Sequence, residues 1–135
     1  LFETAKIEMG GASKGNFRVE ALRLDQELSG AAKAYHTGDF RTVDVEASGA
    51  SVFSFEGKAY TMELEGSGAA KIETSKGSAH EVKASISGAA SAEINALDTL
   101  VVEVSGGGSV RYIDNDGMKL DIRSVNRGAS VTKMK

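Results

Sequence analysis

Along most of the chain apolar and polar residues alternate with a period of two, and a Ser-Gly pair followed by small residues interrupts the alternation at regular distances. Six, four and two residues before the glycine of these pairs stand Leu24, Gln26 and Leu28; Val43, Val45 and Ala47; Met62, Leu64 and Gly66; Val82, Ala84 and Ile86; Leu100, Val102 and Val104. Ala5, Ile7 and Met9 hold the same places ahead of Gly11. Four and six residues after the glycines come Phe53 and Phe55, Ile72 and Thr74, Ala92 and Ile94, Val110 and Tyr112. Side chains of a strand point to opposite faces in turn, so each set predicts a short strand with one face buried. Helical periodicity is absent.

The interruptions form a repeat. "GGAS", "SGAA", "SGAS", "GSGAA", "SGAA", "SGGG" and "RGAS" place anchors at Gly11, Gly30, Gly49, Gly68, Gly88, Gly106 and Gly128, at intervals of 19, 19, 19, 20, 18 and 22 residues. A period near 20 is the mark of a solenoid. Each repeat holds a strand, a tight Ser-Gly turn, a second strand and a corner such as "EGKA", "SKGS" or "NDG". That is too little for a propeller blade or a β-α unit, but it suits one coil of a parallel β-helix, with coils stacking at about 4.8 Å. The expectation is all-β: a single-stranded parallel β-helix of about seven coils, with residues 1–135 as one domain. A β-sandwich would explain the alternation, but its turns would not recur at this spacing with this chemistry.

Composition sharpens the picture at two points. The chain has no cysteine and no proline but 16 glycines, so disulfides and thiolate metal sites are excluded and the turns must be built from Gly, Ser, Asn and Asp. A net charge of −3 without any basic run argues against nucleic acid. No apolar stretch approaches the roughly 20 residues of a membrane-spanning helix. The chain opens at Leu1 without a methionine, so a missing signal peptide decides nothing.

With its "SGAA" turns set between short alternating strands, the sequence resembles the GIN-type auto-transporter adhesin head domain family, best between Leu22 and Tyr112. The resemblance implies a β-helix in secreted or envelope proteins of Bacteroidetes-type bacteria, with an adhesin-like role and a glycan or a protein at a surface as partner. Its motifs are repeat motifs, so they specify the fold and no catalytic residue. The sequence departs from regularity between Gly106 and Gly128, where "SVNRGAS" lengthens a turn and implies an irregular or capping coil.

A β-helix displays its outward residues as columns. Three residues before the anchors lie Glu8, Glu27, Glu46, Glu65, Ser85 and Glu103; two residues further back lie Lys6, Asp25, Asp44, Glu63, Lys83 and Val101. The middle coils thus present Asp25, Glu27, Asp44, Glu46, Glu63 and Glu65 as one acidic strip. Two charges about 5 Å apart in water repel by about 0.8 kcal/mol, less in salt, so the fold tolerates the strip as a solvated face. A basic partner docking on it or a Ca²⁺ ion are the functional alternatives. Thr42, Thr61 and Thr99 form a partial ladder that Arg23 and Glu81 interrupt, too broken for an ice-binding array.

Catalytic signals are lacking. His36 falls in an inward column and His80 begins a strand, so the repeat does not bring them together, and no triad or metal-ligand spacing occurs. "DNDG" at Asp114–Gly117 reads as a turn, since the remote Glu of a Ca²⁺ loop is missing from its place. A lyase or glycosidase remains the enzymatic alternative, because β-helices host both, but no tryptophan is present to platform a sugar. The sequence therefore reads as a non-catalytic module without cofactor or metal. Self-assembly through the open ends or sides of the solenoid is a further alternative.

Overall fold

The computed structural model describes residues 2–18, 21–113, 117–125 and 130–133. The Gly128 anchor and all but Gly117 of the "DNDG" turn lie outside these residues. Among the described residues twelve strands follow one another: β1 (Phe2–Met9), β2 (Lys14–Arg18), β3 (Ala21–Leu28), β4 (Lys33–Ala47), β5 (Val52–Gly66), β6 (Lys71–Glu73), β7 (Ser78–Ile86), β8 (Ser91–Ile94), β9 (Ala96–Val104), β10 (Ser109–Tyr112), β11 (Lys119–Val125) and β12 (Ser130–Lys133).

Every pairing is parallel, between residues one coil apart, so the chain is a parallel β-solenoid of about six turns, and the expected fold holds. Strands before the Ser-Gly turn stack as β1, β3, the second halves of β4 and β5, β7, β9 and β11; strands after it stack as β2, the first halves of β4 and β5, β6, β8, β10 and β12. One column runs Ile7, Gln26, Val45, Leu64, Ala84, Val102, Ile122 from end to end. Register slips at two places, between Ala79 and Glu81 and between Ile122 and Ser124; the second lies in the coil whose spacing is irregular in the sequence.

The inward faces of the two ladders meet in one hydrophobic core. Leu24, Val43, Met62, Val82 and Leu100 stack in a column that excludes water, and each contributes about 1.5–3 kcal/mol by burial. Size is matched across the interior. Where Gly66 offers no side chain, the terminal methyls of Ile86 and Ile72 fill the space, 3.2 and 3.3 Å from where a Cβ would stand.

The recurring turn explains its own composition. At the third anchor Gly49 has φ +69°, and among the described residues none other than glycine has positive φ, the pattern of a type II′ turn. A Cβ on Gly49 would lie 2.6 Å from the carbonyl oxygen of Gly30 in the coil below. That carbonyl accepts from Ala50 N–H at 2.8 Å, as Gly11, Gly49, Gly68 and Gly88 accept from the corresponding residue of the next coil. Glycine is needed twice over, for the dihedral and for the close stacking of backbone on backbone. The opposite corner holds a second glycine pair that sequence reading does not single out: Gly57 (φ +144°) sits on Gly38, and a Cβ on it would overlap the Gly38 carbonyl.

Candidate functional site: an acidic groove along the Ser-Gly corner

Before four of the six described turns the chain runs Glu, a small or apolar residue, then Ser; the first has Gly10 in place of the serine and the fifth has Ser85 in place of the glutamate. Stacking turns this short string into a groove of about 890 Å³ that runs across the coils. One wall is the column Glu8, Glu27, Glu46, Glu65, Ser85 and Glu103; the other is Ser29, Ser48, Ser67, Ser87 and Ser105. Between the walls it is lined by Met9, Leu28, Ala47, Gly66, Ile86 and Val104, of which Leu28, Ala47, Ile86 and Val104 are buried in the core. Among the described residues no lysine, arginine or histidine lines it. The serine hydroxyls are partly engaged: Ser48 Oγ donates to Leu28 O at 3.3 Å and Ser87 Oγ to Gly66 O at 3.4 Å, across the coils.

All six strip residues fall where the columns put them, with Asp25, Asp44 and Glu63 in one register and Glu27, Glu46 and Glu65 in the next. Their environments divide them. Glu27, Glu46 and Glu65 line the groove. Asp25 and Asp44 lie beside it and share a cation, since Arg23 Nε is 3.0 Å from Asp25 Oδ1 and Arg23 Nη2 is 3.3 Å from Asp44 Oδ2. Glu63 borders a smaller depression with Glu65, Glu103 and the cationic Lys83. The pure carboxylate surface is therefore narrower than the six-residue strip, and it is joined by a serine column.

Repulsion within the ladder is felt. Glu46 is held above the ordinary carboxylate range, first by Glu65 in the next coil, then by partial burial and by Glu27 in the coil below. Asp44 is also raised, first by burial and then by Glu63 and Asp25, with Arg23 opposing. Like charge is the leading cause at Glu46 and adds to burial at Asp44. Among the described residues no group of three or more His, Asp and Glu side chains is placed to hold a metal ion.

Other candidates disperse. His36 is buried among Phe17, Phe53 and Gln26, whereas His80 is half-exposed, with Nδ1 3.0 Å from Asp98 Oδ2 and its ring against Tyr60. Thr42 and Thr61 stack directly, with Arg23 below them and Glu81 separating Thr61 from Thr99, as their spacing predicts. The serine wall is the part of the site that sequence reading passes over. Its signal was present, one residue before five of the seven anchor glycines, but the serine reads as turn chemistry until stacking aligns it with the glutamates.

A family model described as "Putative auto-transporter adhesin, head GIN domain" matches residues 2–115, a span that includes six of the seven anchor glycines. No curated protein and no solved structure matches the chain.

Proposed function

Because the chain belongs to the "Putative auto-transporter adhesin, head GIN domain" family, we propose that it is a non-catalytic binding head, displayed on the bacterial envelope or secreted, whose acidic groove captures cationic groups of a partner surface. The solenoid supplies rigidity, and the repeat supplies valence. From Glu8 to Glu65 one carboxylate per coil, spaced about 4.8 Å apart, faces the same way on a backbone that does not have to order on binding, and Ser85 interrupts the row before Glu103. A single exposed carboxylate offers little affinity, but a row in one concave channel focuses its field and adds avidity for a linear polycation or a basic protein segment.

The observation that carries this reading is the uninterrupted run Glu27, Glu46, Glu65 in a groove that no described lysine, arginine or histidine lines; Glu8, at the head of the same column, is already paired with Lys6 Nζ at 3.7 Å. Titration calorimetry with polylysine or spermine tests it. Binding that weakens with salt and falls more than about tenfold in a Glu27→Gln/Glu46→Gln/Glu65→Gln variant is expected. Equal binding by that variant overturns it. Glu56→Gln, at a carboxylate outside the groove that faces Lys76 Nζ at 3.9 Å, serves as control.

A further inference from the structure

The strands that lead into the acidic groove begin at a column of different chemistry. Leu22, Arg41, Tyr60 and His80 stand in register one coil apart, near the start of β3, of the second halves of β4 and β5, and of β7. Tyr60 is 54% and Leu22 48% exposed, beside the polar column Arg23, Thr42, Thr61 and Glu81. Polar groups bracket the Tyr60 ring. At the register slip between Ala79 and Glu81, His80 Nδ1–H donates to Asp98 Oδ2 at 3.0 Å, and the imidazole lies against Tyr60 with ring centroids 5.2 Å apart. With Nδ1 so engaged, Nε2 is left for a ligand. On the other side of Tyr60, Arg41 is exposed and its guanidinium pairs with no described residue. The column thus runs from an unpaired cation through an aromatic face to an imidazole–carboxylate pair, over about 10 Å or two coil spacings.

We propose that this column binds an acidic saccharide, a hexuronate joined to a neutral sugar. The apolar face of a pyranose carries weakly positive C–H groups, and it lies on the negative face of the Tyr60 ring, covering surface that is open in the free protein. The hexuronate carboxylate takes the paired N–H groups of Arg41, whose planar fork matches it. Hydroxyls of the neutral sugar meet His80 Nε2 and the remaining oxygen of Asp98, which accepts but cannot donate. Asp98 also repels a second anion at its end of the column. One carboxylate per disaccharide therefore fits better than a phosphate polymer or a chain charged at every unit. The site has the opposite charge preference to the acidic groove and does not depend on what the groove binds.

Ring-proton NMR during titration with cellobiuronate and with a hyaluronan tetrasaccharide, each beside its carboxyl-reduced neutral counterpart, tests it. Both acidic saccharides shift the Tyr60 and His80 rings and leave Tyr35, which lies in the ladder after the turn, unmoved. Tyr60→Ala lowers the affinity by about tenfold, whereas Tyr60→Phe, which keeps the ring, stays within about twofold of the parent. Arg41→Gln lowers affinity for the acidic saccharides by about tenfold and leaves that for the neutral counterparts unchanged, so the preference for acid disappears. Circular dichroism matches the parent in each variant. Tyr60 and His80 rings that do not shift with either acidic saccharide into the millimolar range overturn the proposal. So does equal binding of acidic and neutral saccharides by the unmodified chain, or a loss in Tyr35→Ala as large as in Tyr60→Ala.

Discussion

His36 Nε2 lies 2.6 Å from Gln26 Oε1 inside the core, and neither residue reaches solvent. Gln26 Nε2 donates to the carbonyls of Ile7 and Glu27, both at 3.2 Å, which fixes its amide with the oxygen towards the ring. The imidazole must then carry its proton on Nε2, and Nδ1 is left as a buried acceptor without a partner. Phe17 stacks on the ring at 4.8 Å and Phe53 tilts against it at 5.4 Å. Burial in this aromatic cage lowers the His36 pKa from its ordinary 6.5 to about 4. A depressed histidine favours the fold while neutral, so its contribution is complete above pH 6.5 and is lost as pH falls through that value towards 4. The difference corresponds to about 3 kcal/mol. Urea denaturation at neutral pH and near pH 4 measures it. Asp44 and Glu46 act with the opposite sign, because raised carboxylates regain stability as pH falls through their folded values, but both are largely solvated and the effect is smaller.

The same pair predicts a non-additive mutant cycle. His36→Phe alone orphans the Gln26 oxygen in the core and costs about 1–3 kcal/mol. Gln26→Leu with His36→Phe removes both polar partners, and in a neighbourhood already aromatic it restores stability to about the parent value at pH 7. The double variant also loses the excess acid sensitivity assigned to His36. If its pH profile matches that of the parent, the titrating group lies elsewhere.

Glycine-to-alanine changes separate the two demands of the turn. Gly11 and Gly49 share the same dihedral, φ +64° and +69°, but a Cβ on Gly11 meets nothing within 4 Å, whereas one on Gly49 meets the Gly30 oxygen. Gly11→Ala therefore incurs only the cost of the positive φ, about 1–3 kcal/mol. Gly49→Ala also forces coils apart at the Ala50–Gly30 hydrogen bond and costs about 2–4 kcal/mol. Equal costs in chemical denaturation would mean that the coils slide freely at the turn.

How much of this was legible follows from what the repeat encodes. The columns were readable because a period of two and a period of about 19 are both linear properties of the chain. Leu24, Val43 and Met62 had to stack once their spacing was noticed. The Arg23 bridge was not readable, because its partners Asp25 and Asp44 are two and 21 residues away and only side-chain geometry selects them. Nor was the stacking of Gly57 on Gly38, because the positive φ and the backbone contact that demand glycine there exist only once the coils are stacked. The groove needed both a wall of glutamate and a wall of serine. Each column was visible alone, but concavity is a property of the folded corner.

Arg23 limits how far the negative field spreads. Arg23→Gln frees Asp25 and Asp44 from their shared guanidinium and widens the acidic surface beside the groove. The expected result is tighter polycation binding, by about twofold to fivefold, together with a small loss of stability of at most about 1 kcal/mol. Glu46→Gln is the converse. It relieves repulsion from Glu65 and Glu27, gains about 0.5 kcal/mol or less, and weakens binding. Calorimetry and thermal melting on the two variants should move in opposite senses in both readouts. A shift in the same sense would detach the groove from the field of its carboxylates.

Salt and divalent ions distinguish a diffuse field from a chelating site. Raising ionic strength screens the glutamate ladder, so the melting temperature rises slightly while polycation affinity falls. Calcium demands six to eight oxygens converging at about 2.3–2.6 Å, whereas the groove spaces its carboxylates one per coil along a line. No described cluster of acidic and histidine side chains meets that demand. Millimolar Ca²⁺ and Mg²⁺ should therefore shift the melting temperature equally, and by no more than NaCl of matched ionic strength. A shift specific to Ca²⁺, lost in Glu46→Gln, would instead make the ladder a metal site, since only a ligand bound to the folded state raises the melting point beyond screening.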